Sequence, residues 1–237
     1  MKYHLAAAAA VVLLLSACSV RQEVTLSRSG AGEATVNVEL HRVLIEYLAD
    51  LSGFAGASME IFDLQALEAR FAQEPGLELL SATAPSAGEL RLRLRFADIA
   101  RVFDAQQGAV REVFSFAEDG DQRRLQIRLT PHSVRALMGF SPASDSMLAD
   151  ILLPPVDQPM READYVDYLA WALEEYQRET PIASVIRSAT IRVVIEPEGT
   201  IVSQRGGRTE GNRVIFEIPV VRLLTVRNTL EYSLTFR

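Results

Sequence analysis

Lysine is almost absent from this chain of 237 residues. Lys2 is the only one, so beyond the first residues every fixed side-chain cation is an arginine. A Walker-type phosphate loop and Ser–Lys acyl transfer both need a lysine, and both are excluded. Histidine is nearly as scarce, at three. His41 and His132 stand far apart, each at the start of a predicted helix, whereas a metal site needs three or four converging donors. No HExxH or GxSxG pattern occurs. The acidic turn "EDGD" (118–121) lacks the later oxygen ligands of a calcium loop and reads as a plain turn. No metal and no cofactor are therefore expected. Aromatic residues make up 7% of the chain, few for the platforms of a glycan cleft. With 31 acidic residues against 24 basic ones the formal charge is −7, which argues against nucleic acid as a partner.

Cysteine is limited to one, Cys18, so no intrachain disulfide is possible. Its position is informative. Lys2 supplies a positive start, Leu5 to Leu15 form an unbroken apolar run, and Cys18 follows directly. That run is shorter than the roughly 20 residues a permanent membrane helix needs, and it has the length and flanks of a secretory signal peptide. The residues Leu15-Ser16-Ala17-Cys18 resemble the lipobox of bacterial lipoproteins. The resemblance implies cleavage after residue 17 and a lipidated Cys18 that anchors the mature protein in a membrane, on its periplasmic or exterior side. Two or three acyl chains at about 0.8 kcal/mol per buried methylene suffice for stable anchoring. Without Lys2 the mature chain carries 23 arginines against 31 acids, a charge of −8.

The period of the apolar residues divides the rest. Residues 18–22 read as a lipidated tether, and 23–237 as one α+β domain with a helix-rich insertion over about 41–180. Strict alternation predicts strands over 34–40, over "ELRLRLRF" (89–96) and over 229–236, and a hairpin joins 110–117 to 124–130. Helical spacing follows Val43, Leu44, Tyr47, Leu48 and Leu51 up to Gly53, and a second helix starts after an Asp63 cap. The longest helix spans about 161–177. The expected architecture is an antiparallel sheet with helices packed on one face.

At its two ends the chain also resembles the LppM-type bacterial lipoproteins, through "SRSGAGEATV" (27–36) and "IEPEGTIVSQRGGRTEGNRVIFEI" (195–218). Here Glu198 separates Pro197 from Gly199, and Phe216 stands where that family often has tryptophan. The resemblance implies handling of lipids or lipoglycans at the envelope, with no catalytic residues to carry over.

Two surface features are candidate sites. Arg91, Arg93 and Arg95 share one face of their predicted strand, and Arg124 and Arg128 one face of theirs. In a common sheet they form an anion-binding face for a phosphate or headgroup; the plainer expectation is a solvated face paired with carboxylates. Trp171, the only tryptophan, falls on the polar side of its helix and is a candidate partner contact. The plainer expectation is that the segment 139–160 folds over it. The sequence thus reads as a membrane-anchored, non-enzymatic binding or scaffold protein for a lipid or another amphiphile. The alternatives are a subunit docking to another envelope protein, and a glycan or peptide hydrolase using Glu162, Asp164 and Asp167.

Overall fold

A computed structural model describes residues 18–51, 61–106, 108–138, 154 and 160–237. The signal segment 1–17, the Gly53 helix stop and all but Pro154 and Met160 of the loop 139–160 lie outside those residues. Strands β1 (Cys18–Leu26) and β2 (Gly32–Leu40) lead into helices α1 (Arg42–Leu51) and α2 (Leu64–Phe71). Next come β3 (Leu77–Ser86), β4 (Glu89–Phe96), the short helices α3 (Ile99–Asp104) and α4 (Gly108–Arg111), and the hairpin β5 (Phe114–Asp119) and β6 (Gln122–Leu129). Helix α5 (Pro131–Met138) follows; α6 (Glu162–Ala172) runs into a 3-10 turn, Glu174–Tyr176, and α7 (Ile182–Ser188). The chain closes with β7 (Thr190–Pro197), β8 (Ile201–Arg205), β9 (Arg208–Glu210), β10 (Arg213–Pro219), α8 (Val220–Leu224) and β11 (Leu230–Phe236).

Local chemistry fixes many of these boundaries. The Asp63 carboxylate accepts the Ala66 amide at 2.8 Å and opens α2 as an N-cap. Asp98 does the same for α3 through Ala100. Thr130 and Ser133 exchange bonds around the first turn of α5, where Pro131 has no amide to satisfy. Gly30 turns β1 into β2 at φ +83°. Gly32 is required for a different reason: a Cβ there would collide with the Thr25 carbonyl oxygen and the Phe96 ring.

The class is α+β, as expected, but the strands form two sheets rather than one. The larger has the order β3-β4-β2-β1-β7-β10-β9 and the smaller β5-β6-β11-β8. Every pairing is antiparallel except β1 with β7, which joins the two ends of the chain at the centre of the larger sheet. The middle is not a separate insertion, since β3 to β6 lie within 41–180 among its helices and contribute to both sheets. Residues 18–22 are not a tether either. Cys18 already pairs with Leu40, and Ser19 with Thr190, so strand order starts at the cysteine. Residues 110 and 111, expected at the start of a strand, belong to α4, and β5 begins only at Phe114.

Alternation carries the core. Leu90, Leu92, Leu94 and Phe96 are buried in β4 while Arg91, Arg93 and Arg95 are exposed. In β11 Tyr232, Leu234 and Phe236 are buried and Leu230 is half-buried. The inner faces of the two sheets and the helices share one continuous apolar cluster.

Candidate functional site

The two sheets do not close completely on each other. Between them lies a cavity of about 150 Å³. One wall is the centre of the larger sheet, where register aligns Ala34, Val24 and Ile195 on one rung and Val36, Gln22 and Val193 on the next. The opposite wall comes from Leu125, Ile127 and Leu129 of β6 with Phe114 of β5. Phe96, Phe103 and Val102 close it on one side; Leu137 from α5 and Leu223 from α8 also reach it. Gln22 is the one polar side chain in this lining. An apolar space of this size accepts a guest of about benzene size, or some six carbons of an alkyl chain.

The candidate residues read from the sequence do not reach this cavity. Arg91, Arg93 and Arg95 lie on the exposed side of β4, opposite the leucines that face inward. Arg124 and Arg128 are likewise exposed on β6, opposite Leu125, Ile127 and Leu129. Strands β4 and β6 belong to different sheets, so the five arginines do not form one face. Most are paired as a solvated surface would be. Arg91 meets Glu89 at 3.2 Å, Arg93 meets Glu33 at 3.5 Å, and Arg95 bridges Glu33 and Glu78 at 3.0 and 3.3 Å. Arg128 lies 3.8 Å from Glu231. Exposed pairs of this kind are worth at most about 1 kcal/mol.

Trp171 is 72% exposed. Its ring lies 6.5 Å from that of Tyr168, itself 39% exposed. Helix α6 buries Tyr165, Val166 and Leu169, which leaves Tyr168 outside the core. The carboxylates proposed for hydrolysis are placed otherwise than as a facing pair. Arg161 grips both oxygens of Asp164 at 2.8 Å, and those hydrogen bonds hold its carboxyl below the ordinary range. Asp167 is exposed on the helix surface. Among the described residues no group of three or more His, Cys, Asp or Glu could hold a metal, and no helix is long and apolar enough to cross a membrane.

The cavity itself was not visible in the sequence. Its small wall residues come from β1, β2 and β7, and only the parallel pairing of the chain's two ends assembles them.

No protein-family model matches the chain, and no curated protein matches it. Among solved structures it is similar to the folded domain of the Mycobacterium tuberculosis LppM protein, determined by NMR. The likeness has a TM-score of 0.42 at 9% identity and covers 94% of this chain and 91% of that one.

Proposed function

We propose that this protein is a lipid-anchored, non-enzymatic binding protein of the bacterial envelope that takes an alkyl or acyl chain into the cavity between its sheets. In this reading residues 1–17 are removed as a signal peptide, Cys18 carries the anchor, and the domain begins at the anchor itself. The observation that carries it is the lining: nineteen apolar side chains and one amide line a space of about 150 Å³. Pockets for small ligands combine such an apolar body with few polar groups. Gln22, at the centre of the larger sheet, supplies an amide able to orient a guest.

The test is calorimetric titration of the full chain with 1-octanol. Saturable one-site binding, lost when Ala34→Leu fills the cavity, supports the reading; absence of binding to the unsubstituted chain refutes it. The exposed pair Tyr168 and Trp171 supports a second reading, in which the domain also docks to another envelope protein through that aromatic patch.

A further inference from the structure

Tyrosine and tryptophan gather at one place in this fold. Five of the chain's seven such residues, Tyr47, Tyr165, Tyr168, Trp171 and Tyr176, lie on α1, α6 and the 3-10 turn that follows α6. The rings of Tyr165, Tyr168 and Trp171 follow one another with centroids 6.5 Å apart, and Tyr47 meets Tyr176 edge-on at 5.7 Å. Burial and the neighbouring Tyr168 both raise the pKa of the Tyr47 phenol, so the two groups of rings adjoin. The series runs from core to solvent: Tyr165 is fully buried, Tyr168 is partly exposed and Trp171 is largely exposed.

The surroundings of the exposed pair are acidic. Residues 162–179 hold six carboxylates and one arginine, Arg178. Asp167 stands one turn before Trp171 on α6 and Glu174 one turn after it, so both side chains are its neighbours on the helix surface. Both are exposed, and neither forms an ion pair with any described residue. Beside them the Tyr176 hydroxyl donates to Asp50 at 2.9 Å, and Glu175 approaches the same hydroxyl. One phenol has one proton to give, so two carboxylates compete for it. The arginines on and beside α1 and α6 in the chain are engaged elsewhere, Arg42 and Arg178 with Glu46 and Arg161 with Asp164. On the larger sheet, by contrast, Glu33, Glu78, Glu89, Glu196, Glu210 and Glu217 each meet an arginine. The unmatched carboxylates therefore flank the one exposed tryptophan.

We infer that the Tyr168–Trp171 patch receives a basic segment of another envelope protein, one of its cationic side chains lying on the Trp171 ring between Asp167 and Glu174. This rests on the docking role proposed above for the patch and adds the partner's charge and the residues that read it. A cation is attracted to the face of an aromatic ring, most strongly to tryptophan, and carboxylates beside the ring reinforce it through charge-assisted hydrogen bonds. Other occupants match this charge pattern poorly. The chain's own segment 139–160 contains three aspartates and no arginine or lysine. An anionic bilayer would bring phosphates against the carboxylates. A second copy carries the same net charge, and the arginines of its larger sheet are held by its own glutamates.

Because Trp171 is the only tryptophan, its indole N–H gives a single resonance that reports on the patch alone. The isotope-labelled full chain is titrated with three peptides: acetyl-Arg-Ala-Arg-Ala-Arg-amide, its Glu-for-Arg counterpart, and acetyl-Leu-Gln-Leu-Gln-Leu-amide. Only the arginine peptide should shift the indole resonance saturably. The double variant Asp167→Asn, Glu174→Gln should bind it about fivefold more weakly, and salt at about 0.5 M should weaken it further. Trp171→Ala, followed by calorimetry, should lose about fivefold as well. An unchanged urea midpoint in both variants shows that they are folded. If the leucine peptide shifts the indole and the arginine peptide does not, the partner's charge is wrong and docking at the patch stands. If no peptide moves the resonance, docking falls with it, and the apolar cavity is untouched. Two other results would also overturn the inference: a dimer in sedimentation that Trp171→Ala dissociates, or a blue shift of Trp171 emission on adding phosphatidylglycerol vesicles.

Discussion

Filling the cavity should make the protein more stable and less able to bind. Ala34 is the smallest side chain in the lining, and its neighbours across the sheet, Val24 and Leu94, line the same space. Ala34→Leu adds three carbons. At about 0.8 kcal/mol per buried methylene their transfer from water contributes roughly 2.4 kcal/mol if all three find room. Imperfect fit in a formed interior costs about 1–3 kcal/mol when the site is already full, and less where a void exists. The expected net gain is therefore about 1–2 kcal/mol, equivalent to a few degrees in Tm for a domain of this size. Equilibrium unfolding in urea reads it directly, as a raised midpoint with an unchanged slope. The same variant should lose at least about tenfold in 1-octanol affinity, because the leucine occupies the guest's volume. A variant less stable by more than about 1 kcal/mol that still binds 1-octanol would show that there is no space beside Ala34.

Three further outcomes are expected. Cys18→Ala should abolish incorporation of a fatty-acid analogue in bacterial cells, and a labelled alanine variant would disprove anchoring at that residue. Phe236→Ala should cost about 3–5 kcal/mol in the urea assay, since Phe236 is fully buried on a strand flanked by β6 and β8; a loss under about 1 kcal/mol would mean that the chain's last strand is not core. Trp171, as the only tryptophan, gives a direct optical test of its exposure. Its emission should match indole in water and be strongly quenched by iodide, and a blue-shifted, protected emission would place it under cover.

The sequence was legible where one residue's environment depends on its near neighbours. The alternation of "ELRLRLRF" identified the buried and exposed sides of β4, and Asp63 announced the start of α2. The sequence was silent on partnership. A period of two says which side chains share a face, but it carries nothing about which strand lies alongside, so β4 and β6 were indistinguishable as members of one sheet or two. Helix α8 was hidden for a related reason. "VVRLL" begins with two β-branched residues and has no helical period of its own, yet four of its five residues are buried, and packing overrides so weak a local preference. The start of β1 was hidden by composition: Ser19, Arg21 and Gln22 look like a solvated tether. Ser19 and Arg21 are exposed on the outer face of a central strand whose backbone hydrogen bonds are satisfied by β2 and β7, whatever its side chains.

The cavity has an energetic consequence for the binding role proposed above. Where the three central strands of the larger sheet meet, the inward residues are small: Ala34 beside Val24, and Val36 and Val193 on either side of Gln22. Phenylalanines 96, 103 and 114 also line it, so the lining combines bulky rings with small residues at the centre of the sheet. At about 24 cal/mol per Å³, a fully closed void of 150 Å³ would withhold at most roughly 3.6 kcal/mol of stability. That is a large share of the ~5–15 kcal/mol that keeps a domain folded. Single substitutions such as Ala34→Leu would recover part of it. Ligand present at about a hundred times its Kd stabilises the folded state by about 2.7 kcal/mol, close to what the void withholds. In the binding role proposed above, the cost of the void to the free protein would be largely compensated in the complex.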